Sequence, residues 1–89
     1  MANRRTLKKN INYICAELAA ECVALMIYKP DVPIEDIDNL MRRIADLRRD
    51  FVSRISHTEP GATKEFYRKL RADFNAQTDD IIEVLGNLS

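Results

Sequence analysis

The chain has 89 residues, the size of one domain, and 46% of them are hydrophobic while 31% are charged. This is the composition of an ordinary globular protein, and it excludes a disordered chain. The 14 basic and 14 acidic residues cancel, and the pI of about 6.6 is well below that of a typical basic nucleic-acid-binding domain.

The N-terminal part of the chain does not have the pattern of a secretory or membrane segment. Arg4 and Arg5 are not followed at once by an apolar run, as they would be in a signal peptide. The most apolar stretch, 14–28, contains two glutamates and is shorter than the roughly 20 residues that span a bilayer. Cys15 and Cys22 would lie about 10 Å apart on one helix, too far for a disulfide. We therefore expect a cytoplasmic protein with reduced, buried thiols and no membrane contact.

The first predicted element is a helix over 5–28, which ends before Pro30 and Pro33. Its second half is apolar or small almost all round, which indicates that it is covered on more than one side. Apolar residues recur along it at three- and four-residue steps, the period of an α-helix: Leu7, Ile11, Ile14, Leu18, Cys22 and Leu25.

Two further helices are predicted over 34–56 and 63–85. Asp31 is expected to cap the second helix, with Pro33 in its first turn. A loop around Pro60 and Gly61 leads to the third helix. Helices of this length, joined by short loops, run up, down and up. The sequence therefore predicts a single all-α domain over 1–89, a three-helix bundle with long antiparallel helices.

Helix 1 is too apolar to be the outer member of an isolated three-helix bundle. A chain this short also buries only a modest core. We therefore expect a second copy to complete the bundle, most simply as a dimer. The predicted oligomer interface consists of Ala16, Ala20, Val23, Ala24 and Ile27.

The charges separate along the predicted bundle. The end that holds the start of helix 1 carries 11 basic and four acidic residues, a net charge of +7, and the rest of the chain carries −7. Helix dipoles do not explain this layout, because helices 1 and 3 begin with bases and end with acids. The basic end is a candidate site for an anion such as nucleic acid, a phosphate or an acidic protein. Its candidate residues are Arg4, Arg5, Lys8, Lys9, Arg49, Lys64 and Arg68. Assembly of opposite ends and a chance clustering of solvated charges are the alternatives.

Candidate chemistry is sparse in the sequence. Glu17 and Glu21 share a helix face, but the Glu-x-x-His pairs of di-iron bundles are missing. Gln77 is expected to lie near the level of Glu17, where a buried hydrogen bond between them would fix the register of the helices. The sequence contains no P-loop or dinucleotide-binding motif. We therefore expect neither an enzyme nor a bound metal or cofactor.

Several short strings resemble a group of short, uncharacterised helical proteins of Bacteroidetes-type bacteria. The strings are Asn3-Arg4-Arg5, Leu7-Lys8-Lys9, Ile11-Asn12-Tyr13-Ile14-Cys15, Glu21-Cys22-Val23-Ala24 and Phe74-Asn75-Ala76-Gln77. The resemblance spans most of the chain and implies an intracellular bacterial protein. That group has no known activity, so the resemblance implies no catalytic residues.

Two hypotheses about function follow. The first is a non-enzymatic structural or interaction module that self-associates through helix 1. The second is a module that binds nucleic acid or another anion through the basic end.

Overall fold

A computed structural model describes residues 4–57, 61 and 64–89. It confirms the all-α three-helix bundle, with α1 at Arg4–Tyr28, α2 at Ile34–Ser56 and α3 at Lys64–Leu88. The bundle is a rod of about 50 × 19 × 17 Å. The predicted start of the third helix at Thr63 and most of the preceding loop lie outside the described residues.

The three helices share one hydrophobic core. α1 contributes one stripe, whose buried members are Leu7, Ile11, Cys15, Leu18, Cys22 and Leu25. α2 contributes an equally regular stripe that includes Phe51, and α3 contributes Phe74 and Ile81. The rings of Phe51 and Phe74 meet edge to face with centroids 5.3 Å apart, an arrangement that aromatic rings favour. This contact joins α2 to α3.

The helices do not approach one another equally. α1 and α2 pack closely along their length, whereas α3 lies further from both. Polar contacts at the surface also join the helices. The Arg48 side chain donates a hydrogen bond of 2.7 Å to the Asn12 side chain, which joins α2 to α1. Arg43 forms an ion pair with Asp80, which joins α2 to α3.

The structure corrects one predicted cap and one predicted helix end. Asp31 does not cap α2, because Pro33 is the cap residue and no side chain bonds to the free amides there. Instead the Asp36 amide donates a hydrogen bond of 3.1 Å to the Pro33 carbonyl. The last helix passes through Gly86 and ends at Leu88, three residues beyond the predicted end. Glycine lowers helix propensity by about 1 kcal/mol but does not by itself end a helix.

Candidate functional site

The outer face of α1, defined here as Ala16, Ala20, Val23, Ala24 and Ile27, is turned away from the core. Val23 is 46% exposed and Ile27 is 69% exposed, while Ala24 is half-buried beside α3 and the two other alanines are exposed. Four of the five predicted interface residues therefore lie together on one solvent-facing helix surface, and Ala24 lies at its edge toward α3. Within the chain, only the opposite side of α1 is buried, where the core stripe lies. Coverage of α1 on a second side by another copy stays a prediction.

Large apolar side chains extend this surface toward α3. Tyr28 is 82% exposed at the end of α1, and Ile82 is 53% exposed on α3. Both line a shallow groove between the two helices, together with Ala24, Leu25 and Leu85. Sequence reasoning missed Tyr28 and Ile82 as parts of the surface, because their proximity to Ala24 depends on how α1 and α3 pack. Contiguous exposed apolar surface of this kind marks interaction sites in soluble proteins.

The candidate anion-binding residues occupy one end of the rod but not one compact site. At the start of α1, Arg4, Arg5 and Lys9 are exposed and Lys8 is half-buried. On α2, Arg49 pairs with Asp46 at 3.6 Å within the same helix.

The α3 members of the basic end lie on the side of that helix that faces α1. Lys64 and Arg68 are exposed and four residues apart, and Arg71 follows three residues later, so the three share one side of the helix. Arg71 lines a groove of about 160 Å³ between α3 and α1. The polar side chains of Asn10 and Asn75 also line this groove, and its other lining residues are apolar. The i, i+4, i+7 spacing of the three bases was visible in the sequence, but the groove was not.

The predicted contact between Gln77 and Glu17 is not formed. Gln77 is exposed and lines a groove between α2 and α3 with Asp46 and Asp50. The buried polar residue at this level is Thr78, whose hydroxyl donates a 3.0 Å hydrogen bond to the Asn75 carbonyl. Gln77 and Thr78 are neighbours, so helical geometry turns only one of them into the core.

Glu17 and Glu21 therefore do not share a pocket with Gln77. The exposed Tyr13 hydroxyl instead donates a hydrogen bond to the Glu17 carboxylate. This hydrogen bond, together with the negative charge of Glu17, raises the pKa of Tyr13. Glu21 lies beside the apolar groove that contains Tyr28 and Ile82. Among the described residues, no group of three or more His, Cys, Asp or Glu side chains is placed to hold a metal ion.

Both cysteines are buried thiols, as predicted. Burial raises the pKa of Cys15 and of Cys22, because a thiolate loses solvation in an apolar environment. In Cys15 the nearby positive charge of Arg48 opposes this effect, and in Cys22 the negative charge of Glu21 adds to it. Neither thiol has the electropositive, accessible setting of a reactive cysteine.

α1 as a whole is long and apolar enough to cross a membrane, by length and composition alone. The core helix of a soluble protein and a signal sequence satisfy the same criteria. The expectation drawn from the stretch 14–28 considered only part of this helix. The absence of membrane contact thus stays a prediction.

No protein-family model, curated protein or solved structure matches this chain. The resemblance to short helical proteins of Bacteroidetes-type bacteria stays a prediction.

Proposed function

We propose that this protein is a small, non-enzymatic interaction module that associates with a second copy of itself through the outer face of α1. The observation that supports this proposal most directly is the exposure of Val23 and Ile27 beside Ala16 and Ala20 on one helix face. Burying an exposed Val or Ile side chain contributes about 1.5–3 kcal/mol. The alanines add little area, but their small side chains allow a second helix to approach closely.

The length of this face limits the size of the interface that it can form. The residues from Ala16 to Ile27 span about 16 Å of helix, so the contact lies at the small end of stable protein interfaces. Interfaces at this end of the size range are typical of weak or transient complexes, and we predict a dimer that forms in the micromolar range. Tyr28 and Ile82 lie at the margin of the face, where a second copy would cover part of their exposed surface.

A charge placed in the centre of the face tests the proposal. In Ala20→Glu, dimerisation would bury two carboxylates without partners, so we expect the variant to elute as a monomer at concentrations where the unmodified protein is a dimer. The matched control is Ala76→Glu, the same substitution at an exposed position of α3. It should dimerise normally. Circular dichroism of both variants should show an intact bundle.

Two outcomes contradict the proposal. One is a dimer that Ala20→Glu leaves unchanged, because the interface then lies elsewhere. The other is a monomeric protein that floats with lipid vesicles through α1, because the apolar face then binds a membrane.

The second candidate is an anion-binding module, and it is favoured by the side shared by Lys64, Arg68 and Arg71 near the start of α1. Phosphate contacts from such bases would give an affinity that falls steeply with salt. This candidate predicts binding of DNA, RNA or heparin at low salt. Simultaneous charge reversal of Arg4, Arg5, Lys8 and Lys9 should abolish that binding. A titration at low salt without any binding rejects it.

A further inference from the structure

Four residues on the side of α1 opposite the core form a seam, defined as Ala16, Ala20, Val23 and Ile27. They follow one another at steps of four, three and four residues, the spacing of a helix-packing stripe. These steps read the same in both directions, and the centre of the seam lies between residues 21 and 22. The side chains are small in the first half of the seam and large in the second half.

The order of sizes distinguishes the two ways in which two seams can pair. In an antiparallel pair centred on the seam, Ala16 lies opposite Ile27 of the second copy, and Ala20 lies opposite Val23 of the second copy. Every level then combines one small and one large side chain, which is how facing helices fill space evenly. In a parallel pair, alanine faces alanine and isoleucine faces isoleucine, so one half is left underfilled and the other is forced apart.

The charges on the same helix face favour the same arrangement. Arg5 and Lys9 continue the line of the seam toward the start of α1. A parallel pair would bring Lys9 beside Lys9 of the second copy, which is repulsive. In the antiparallel pair, Lys9 lies about 9 Å along the axis beyond the end of the second α1. The loop that carries the exposed Asp31 turns at that end. In this arrangement the long side chain of Lys9 would extend toward Asp31 of the second copy.

From the sizes and the charges together, we infer that the second copy binds antiparallel, with Ala16 opposite Ile27 and the basic start of each α1 extending past the acidic end of the other copy. This arrangement is a closed two-fold dimer, since each copy uses the same surface. The inference rests on the self-association proposed above, and it specifies the orientation and register of the partner.

Disulfide trapping separates the two orientations. We would prepare Ala16→Cys with an affinity tag and Ile27→Cys without one, mix them, and oxidise the mixture in a glutathione buffer. In the antiparallel pair the two new thiols lie at the same level. Two copies of Ala16→Cys would have their thiols about 16 Å apart along the axis, well beyond the roughly 7 Å between Cα atoms that a disulfide allows. The native cysteines are buried, and the unsubstituted protein is the control for them.

The predicted result is a mixed disulfide that exceeds either homodisulfide by several-fold, where random pairing would give only about twice as much. The pair Ala20→Cys and Val23→Cys should also form the mixed disulfide, but with a smaller excess, because two copies of either variant have their thiols only about 4.5 Å apart along the axis. Two homodisulfides without the mixed product would overturn the antiparallel orientation and leave self-association intact. A dimer by sedimentation that forms no disulfide in either pair would overturn the register. A monomer throughout would overturn the proposed function as well.

Discussion

Two neighbouring isoleucines on α3 have opposite surroundings. Ile81 is fully buried, whereas Ile82 is 53% exposed beside the groove with α1. We predict that Ile81→Ala lowers the free energy of unfolding by about 2–5 kcal/mol, because it removes buried methyl groups and leaves a cavity. Urea denaturation monitored by circular dichroism measures this change.

Ile82→Ala is the matched control, since it removes the same atoms from the adjacent position. In the monomer it should cost less than about 1 kcal/mol, because most of the deleted surface is already in water. Equal losses in the two variants would show that α3 is rotated from the orientation described here.

The reactivity of the two cysteines tests their burial in the unmodified protein. Because burial raises the pKa of both thiols, little reactive thiolate exists at neutral pH. We predict that Ellman's reagent modifies the folded protein far more slowly than the protein in denaturant, and that both thiols then react. Rapid modification of a thiol in the folded protein would contradict the orientation of α1.

At the scale of the helices, replacing each of the two glycines by alanine should have an opposite effect on stability. Gly86 lies inside α3, and a Cβ atom there would meet open space. We predict that Gly86→Ala raises the free energy of unfolding by up to about 1 kcal/mol, because alanine has less conformational freedom to lose than glycine. Thermal or urea denaturation measures this gain.

Gly61 provides the contrasting variant. It also has open space around it, but its φ of +90° is strained for any residue with a side chain. Gly61→Ala should therefore destabilise the protein. Stabilisation by both substitutions would contradict the turn geometry at Gly61, and a loss at Gly86 would contradict the continuation of α3 to Leu88.

The periodicity of the apolar residues was sufficient to predict the three helices and most of the core. It placed α2 at 34–56 without error, because Pro33 precedes the helix and a single regular stripe runs along it. It failed where two neighbouring residues competed for the core, as at Gln77 and Thr78. It also failed at Gly86, where packing of Leu85 and Leu88 carries the helix past a weak helix former.

The pattern of apolar residues was also sufficient to predict the part of the candidate surface that lies on α1. A helix that is apolar all round, in a chain with too few elements to cover it, indicates an exposed apolar face. The contribution of Tyr28 and Ile82 was not predictable, because it arises from the juxtaposition of two helices that are far apart in sequence. The groove beside Arg71 has the same origin.

At the scale of the whole molecule, the separation of charge along the rod predicts how dimerisation responds to charge reversal. Lys9→Glu should weaken dimerisation, because the new carboxylate approaches Asp31 of the second copy. Adding Asp31→Lys should restore it, since the double variant exchanges the two charges. The dissociation constant from sedimentation at low salt measures both effects.

Lys64→Glu is the control for the charge exchange. It removes a base from the same end of the rod but lies on α3, away from the seam, so it should leave the dissociation constant nearly unchanged. Failure of the double variant to recover would contradict the proximity of Lys9 and Asp31, without bearing on self-association itself. High salt should reduce the differences among these variants, because exposed charges are screened.

The central claim is that the outer face of α1 binds a second copy, and sedimentation equilibrium of the unmodified protein tests it most directly. The chain has a mass of 10.3 kDa. We predict a weight-average mass that rises toward twice this value as the concentration increases through the micromolar range. A mass that stays at that of one chain at tens of micromolar would contradict the claim.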